Sequence, residues 1–428
     1  MIAINVVFLV GELLFEASRL TLVMSQNRGR MPNNNKSLPC FPTASRKLRL
    51  GVVGGGAGAF IGKIHARGAR LSNRWDIVAG ALSSRAEVAL ASGREWGLAE
   101  DRSYTDWREM ARAEAAREDG IDAVAITVPN HLHHSVAMAF MDAGIDIISD
   151  KPLVNTLDDA RSLIAKQRET GLVFGVTYSF AAHAMVRQAR QMVREGMIGR
   201  LTQIHVEYFQ EMALLPTASA WSGTPWRQNP YMVGGAATTA DIGTHAHHLA
   251  EFISGLEMTE LRAEFHRFGA EQPLEDTAFI NCRFDGGVAG SMLISQAVAG
   301  AQCGLRIRVS GETGTLEWNQ EDPEYLHHRP VNAAHIRISR GHGAGMLADA
   351  ERFVHMPRGH AEALSDAWGN LYEEFAIAIE ARRDGQSLPE GLLAYPGLRE
   401  GAAGVAFIQA AIASNAKDGV WIDCRFRD

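Results

Sequence analysis

Cysteine is scarce in this chain: Cys40, Cys282, Cys303 and Cys424 are the four among 428 residues. They lie far apart and form no C-x-x-C pair, so neither a disulfide framework nor a zinc knuckle is expected, and a reducing compartment, the cytoplasm, fits best. Cys303 is the thiol most open to a functional reading, although no activating partner is recognisable. A basic surplus is also missing. Lys and Arg number 42 against 49 Asp and Glu, for a net charge of -7, and no Lys/Arg run is interleaved with aromatics, which argues against a nucleic-acid partner. Long apolar runs are lacking too. Ile2 to Val10 is too short to span a bilayer, has no basic segment before it, is followed by Glu12 and Glu16, and leads to no clear cleavage site; no twin-arginine signal is present. With a polar, Pro-containing stretch from Pro32 to Lys47, residues 1–47 read as a poorly ordered extension. A natural start at Met24 or Met31 and a membrane-surface role are open alternatives.

What the chain does have is ordinary for a soluble globular protein, 46% hydrophobic and 21% charged residues, enough for two well-filled domains. From Leu48 to Tyr178, short β-branched runs alternate with amphipathic stretches, as a parallel sheet with crossover helices requires. Strands are expected at 48–53, 76–82, 121–128, 145–149 and 172–177, and helices at 85–96, 107–117, 131–143 and 157–170. Gly144 and Gly171 serve as C-terminal caps and Thr156-x-x-Asp159 as a capping-box-like start. After Tyr178 the register changes. Segments at 202–211, 277–284, 288–296, 305–310 and 314–318, with turn signals such as Asp285-Gly286-Gly287, read as an antiparallel sheet. Helical patterns at 183–194, 244–253 and 368–382 are expected to cover one face of it. The fold class is therefore α/β: a Rossmann dinucleotide-binding domain over 48–178, and an α+β domain with an open-faced, mainly antiparallel sheet over 179–428.

The chemistry begins at Gly54-Gly55-Gly56-Ala57-Gly58-Ala59-Phe60-Ile61-Gly62, where an apolar strand runs into a glycine-rich turn and then a helix. Gly54, Gly56 and Ala59 fit G-x-G-x-x-G/A. The first position permits a tight turn, the second lets backbone approach a pyrophosphate, and the third allows close helix-strand packing. Phe60 and Ile61 open the helix, whose N–H groups would face the phosphates. About 20 residues on, where an acidic residue usually meets the ribose of NAD, the chain offers Ser83-Ser84-Arg85. An arginine there can pair with a 2′-phosphate, so the cofactor is read as NAD(P), leaning to NADP.

Asp150-Lys151-Pro152 ends the fourth strand and puts a lysine at the carboxyl edge of the parallel sheet, where ligands bind in open α/β folds. Further on, Asp241 and His245 are four residues apart entering a helix, one turn from each other, a candidate acid-base pair. Asp241 as a plain helix cap with His245 packed in a polar core is the bland alternative. Zinc held by Asp241, His245 and His248 is the sharper one. No further ligand element stands out, and no metal is expected.

On these residues the chain resembles the glucose-fructose oxidoreductase, inositol dehydrogenase and rhizopine-catabolism family (Gfo/Idh/MocA). The matching elements are the Gly54 to Gly62 turn, Pro129-Asn130-His131-Leu132-His133, Asp150-Lys151-Pro152, Trp226-Arg227 and Asp241-x-x-x-His245, and the resemblance runs from about Leu48 to the C-terminus. It implies a nicotinamide cofactor touched by Pro129, Asn130, His133, Asp150 and Lys151, and hydride transfer at a sugar, glycoside or cyclitol hydroxyl. It further implies that His245 accepts the hydroxyl proton, Lys151 holds the oxygen and bridges to the cofactor, and Asp241 orients the pair. A homo-oligomer, dimer or tetramer, is also implied. Asp150 replaces the usual Glu, and Val128 stands where a Thr is common. Tyr178, His183, Tyr208, Gln210, Trp226, Arg227 and His248 are the types that stack on and hydrogen-bond a polyol. His360, in Pro357-Arg358-Gly359-His360-x-Glu362, resembles a sugar-pocket segment of part of the family. An NAD-retaining glycosidase and a catalytically silent NAD(P)-binding sensor are the alternative functions.

Overall fold

The computed structural model describes residues 46–215, 226, 229–269, 273–343, 345–389 and 391–428. The extension expected over 1–47, apart from Arg46 and Lys47, lies outside the described residues, as does Cys40. The described residues belong to one compact unit.

Two sheets organise it. The first is built from β1 (Leu48–Gly54), β2 (Trp75–Ala81), β3 (Ala123–Thr127), β4 (Asp146–Ser149) and β5 (Phe174–Val176), alternating with α1 (Ile61–Leu71), α2 (Ala86–Trp96), α3 (Trp107–Ala116), α4 (His133–Asp142) and α5 (Leu157–Thr170). All its strand pairs are parallel, in the order β2-β1-β3-β4-β5. Parallel strands covered on both faces must be apolar almost throughout, as β3 (Ala-Val-Ala-Ile-Thr) is; every one of its residues is buried. Gly171 ends α5 in the left-handed conformation, and Thr156 caps its start by accepting from the Asp159 amide. The strand order reverses at β1, so a crevice opens past the carboxyl ends of β1 and β3.

After α6 (Ala184–Arg194), the second sheet collects β6 (Leu201–Phe209), β7 (Met258–His266), β8 (Thr277–Phe284), β9 (Val288–Ser295), β10 (Gly304–Gly311), β11 (Gly314–Asn319), β12 (Tyr325–Pro330), β13 (Ile336–Ser339) and β14 (Ile422–Asp423), with α7 (Thr244–Ser254) packed on it. Its order is β13-β12-β11-β10-β6-β9-β8-β7-β14, antiparallel except for the β6–β9 pair. Strand β8 alternates buried and exposed residues along most of its length, the signature of a sheet covered on one face only. Ile204, Val206, Ile307 and Val309 pack there against Met185, Val186, Leu249 and Ile253 of α6 and α7.

One expectation is corrected. The long helix α8 (Leu364–Arg383) does not cover the antiparallel sheet; Trp368, Leu371, Tyr372, Phe375 and Ile379 pack on Leu48, Leu50 and Val52 of the parallel one. Periodicity identifies the apolar face of a helix but not its mate. Helix α9 (Leu398–Asn415) was not anticipated, because its small residues give little amphipathic contrast. It packs against β7, α5 and α7. Among the described residues, no helix is long and apolar enough to cross a membrane.

Candidate active site

Strand β1 ends in a turn that only glycine accommodates well: Gly54 and Gly55 have φ of 85° and 78°, and Gly58 has 84°. Gly54, Gly55, Gly58, Ala59, Phe60 and Ile61 line the mouth of a cleft of about 1120 Å3. That exceeds the roughly 300–1,000 Å3 of most small-molecule pockets and has room for an extended ligand. The two later positions of the motif work differently from the sequence expectation. Gly56 is not on the cleft wall; its N–H donates to the Leu82 carbonyl at 2.9 Å, tying the turn to the end of β2. Close helix-strand packing falls to Gly62, which meets Gly55, while Ala59 faces the cleft. Helix α1 has no acidic residue in its first turn, which leaves its positive end free for an anion. These features fit a dinucleotide.

Along the cleft, Ser83 and Ser84 follow β2, and Val128, Pro129 and Asn130 follow β3. Arg85 is exposed at the start of α2, outside the lining. His133 is also outside it. Its buried ring lies between the carbonyls of Val128 and Pro152, 2.9 Å from each, and so ties two cleft-forming loops together rather than reaching a ligand.

Asp150 and Lys151 leave β4 in different directions. Asp150 accepts from the Thr177 hydroxyl at 2.8 Å and lies 3.8 Å from His65 Nε2. Burial alone would raise its pKa; His65, Lys151 and His133 outweigh that and bring it to about 2, so it is ionised. Lys151 Nζ donates to both the carbonyl oxygen (2.6 Å) and Oδ1 (2.8 Å) of Asp241.

Asp241 sits in a π-helical turn, Thr239–Gly243, that runs into α7. Such bulges recur at functional sites because they re-aim side chains that a regular helix would hold elsewhere. Here the Asp241 carboxylate turns to Lys151 and, through Oδ2, to Gln296 Nε2 at 3.1 Å. His245 lines the same cleft, with its Nδ1 buried and without a hydrogen-bond partner among the described residues. Its ring meets Phe180 and Tyr178 edge-on, with centroids at 4.8 and 5.7 Å. Burial, with the Lys151 charge adding to it, pushes the imidazole down to about 3, so it is neutral across the physiological range.

The substrate candidates divide. Tyr208, Gln210 and Trp226 line the cleft. Tyr178 and His248 do not, because their rings stack on each other at 4.4 Å beneath its floor. His183 is buried behind Phe180 and against Trp318, and burial pushes it to about 3. His360 is exposed on a separate loop, where its carbonyl accepts from Arg340. Arg227 lies outside the described residues. Sequence reasoning missed Gln296, Ser179, Phe180, Met212, Leu364 and Trp368 on the cleft wall. Gln296 stands one residue past β9, and only the sheet's order brings it to the π turn. Cys303 also lines the cleft, its Sγ 3.5 Å from the Tyr208 hydroxyl oxygen, and burial raises its pKa. Among the described residues, no three His, Cys, Asp or Glu side chains converge to hold a metal ion.

Comparison with known proteins adds to this geometry. Residues 48–178 match the model of an oxidoreductase family with an NAD-binding Rossmann fold, and residues 186–317 match the GFO/IDH/MocA C-terminal domain. The uncharacterized oxidoreductase YfiI of Bacillus subtilis is 31% identical over 89% of this chain and 97% of its own. The levoglucosan dehydrogenase of Pseudarthrobacter phenanthrenivorans is 26% identical over 88% and 98%. An inositol dehydrogenase homolog from Azotobacter vinelandii, solved with NAD+, is 33% identical with a TM-score of 0.84, covering 89% of this chain and 98% of that one. Its structure with NADH and myo-inositol matches with a TM-score of 0.80 at 32% identity, over the same shares.

Proposed function

Because the chain belongs to the Gfo/Idh/MocA family of NAD-binding oxidoreductases, we propose that it transfers a hydride between a nicotinamide cofactor and a secondary hydroxyl or ketone of a sugar, glycoside or cyclitol, with Lys151, Asp241 and His245 as its catalytic set. The observation that carries this reading is the convergence of the Lys151–Asp241 pair and His245 on the cleft that is also lined by the glycine turn. The relatives named for levoglucosan and bound to myo-inositol support the substrate class.

In the oxidative direction the imidazole of His245 takes the proton from the substrate hydroxyl. The Lys151 ammonium holds the same oxygen and stabilises the charge that develops on it. Asp241 aims that ammonium. Phe180 and Tyr208 wall the site beside His245. When bound, the nicotinamide supplies the hydride acceptor or donor. In reduction the proton returns from the imidazolium to the nascent alkoxide. The turn at Gly54, Gly55 and Gly58, together with Pro129 and Asn130, would hold the cofactor.

The finer assignments follow from the same reading. Ser83-Ser84-Arg85, which places no carboxylate after β2, supports a preference for NADP(H). Residues 48–178 serve as the cofactor unit and 179–428 as the substrate and assembly unit of a homo-oligomer, dimer or tetramer. The free thiols Cys282, Cys303 and Cys424 fit a cytoplasmic location.

The test titrates the protein with NADH and NADPH by fluorescence, then follows nicotinamide absorbance with a panel of inositols, anhydro-sugars, aldoses, glycosides and their keto forms. Cofactor binding with substrate-dependent redox change is expected. Glycoside cleavage without net redox change would establish the cofactor-retaining glycosidase instead, and absence of binding to either nucleotide would refute the proposal.

A further inference from the structure

We infer that Gln296 is a positioning residue of the catalytic site: its side-chain amide, held rigid by Thr238, fixes the Asp241 carboxylate in the orientation that grips Lys151. The inference rests on the assignment of Asp241 to the catalytic set and goes beyond it to a residue that never touches the reacting atoms.

Both donors of this amide are committed, and its oxygen is engaged as well. Gln296 Oε1 accepts from the Thr238 hydroxyl at 2.9 Å, which sets the amide with its nitrogen toward Asp241. Nε2 then donates to Asp241 Oδ2 at 3.1 Å and to Gln210 Oε1 at 3.0 Å. A side-chain amide has two donors to give, and both are used. The backbone is pinned as well: Gln296 N–H donates to the Asp276 carbonyl at 2.8 Å, and its own carbonyl accepts from the Ala213 N–H at 2.7 Å.

With Lys151 on Oδ1 and Gln296 on Oδ2, the carboxylate has a donor on each oxygen, which stops it rotating away from the ammonium. The π turn itself is held from the same sheet end. The buried carboxylate of Glu275 accepts from the Ala237 N–H at 3.0 Å and the Thr239 N–H at 2.8 Å. The antiparallel sheet thus supplies, from just before β8 and just after β9, the two groups that lock the Asp241 segment. Gln210 and Gln296 both line the cleft, so the amide also joins the catalytic pair to the residue that follows β6, the strand paired with β9.

Chemistry dictates an amide at this position. A carboxylate in its place would have no hydrogen to donate and would repel Asp241, whereas an apolar residue of similar size would release Oδ2 without adding charge. The two replacements therefore separate orientation from electrostatics.

The experiment compares Gln296→Leu, Gln296→Glu, Thr238→Val and Asp241→Asn with the wild-type protein. It measures cofactor affinity by fluorescence and kcat against pH with the fastest compound of the inositol and anhydro-sugar panel. Gln296→Leu should lose roughly 10- to 100-fold in kcat, the scale of a hydrogen bond to a charged group, with cofactor affinity unchanged. Without its donor, Asp241 takes up a proton more readily, so the acid limb of kcat should move to higher pH in Gln296→Leu and further in Gln296→Glu. Thr238→Val should give a smaller loss of the same kind. A substrate-free arm follows acetylation of Lys151 by acetic anhydride, read by peptide mass spectrometry, which should be several-fold faster in Gln296→Leu than in wild type. Wild-type kcat, acid limb and acetylation rate in both Gln296 variants, with Asp241→Asn inactive, would overturn the inference alone. An active Asp241→Asn would overturn the catalytic assignment beneath it.

Discussion

Gly62, in the first turn of α1, lies so close to Gly55 that a Cβ added to it would stand 2.3 Å from the Gly55 Cα. The contact is between two stretches of backbone, so no side-chain rotation can relieve a substitution there. Gly62→Ala should cost about 1–3 kcal/mol through overpacking and spread the glycine turn. Cofactor affinity, measured by fluorescence titration with NADH and NADPH, should fall by at least roughly tenfold; wild-type affinity would show that the packing of this turn does not shape the nucleotide site.

Cofactor choice is testable at Arg85. If its guanidinium meets a 2′-phosphate, Arg85→Ala should weaken NADPH by roughly 10- to 100-fold, the scale of a charge-assisted hydrogen bond, and leave NADH nearly untouched. Equal weakening of the two nucleotides would return the residue to a solvated position at the head of α2.

Three buried histidines make stability depend on pH. Burial pushes His183 and His245 to about 3 and His248 well below the ordinary imidazole value. Their unfolded counterparts titrate near pH 6.5. The unfolded chain therefore binds more protons below that pH, so this stabilisation is complete above about pH 6.5 and is lost as the pH falls toward 3, at up to about 4 kcal/mol per pH unit for three groups. Urea midpoints should drop clearly between about pH 7.5 and about pH 5.5, and His183→Phe with His248→Phe should flatten the slope. Equal wild-type midpoints at the two pH values would contradict neutral burial of these rings.

Much of this was legible in the sequence because it is local. The strands at 48–54 and 123–127, the helix at 157–170 and the left-handed glycine that ends it follow from apolar runs, capping residues and glycine placement. Lys151 and His245 were legible as candidates from their position after a strand and within a helix entry. What the sequence hid depends on which elements meet. Strand β7 escaped notice because Arg262 and Glu264 occupy the exposed side of a sheet covered on one face, and this broke up its apolar run. The Trp368 to Ile379 stripe of α8 was visible but not its partner sheet. Tyr178, His183 and His248 have the chemistry of sugar contacts, yet their rings are stacked into the floor behind the cleft. Gln296 carried no signal at all, since its value lies in reaching Asp241 across 55 residues of chain.

The central claim concerns what Lys151 and His245 do at the end of that cleft. Its most direct test is the turnover of Lys151→Ala and His245→Ala on whichever sugar or cyclitol the wild-type protein oxidises or reduces, with cofactor binding measured in parallel. Each variant should lose at least roughly a hundredfold in kcat, as expected for groups that move or stabilise a proton, while still binding the nucleotide. Turnover near the wild-type rate in both would contradict the account.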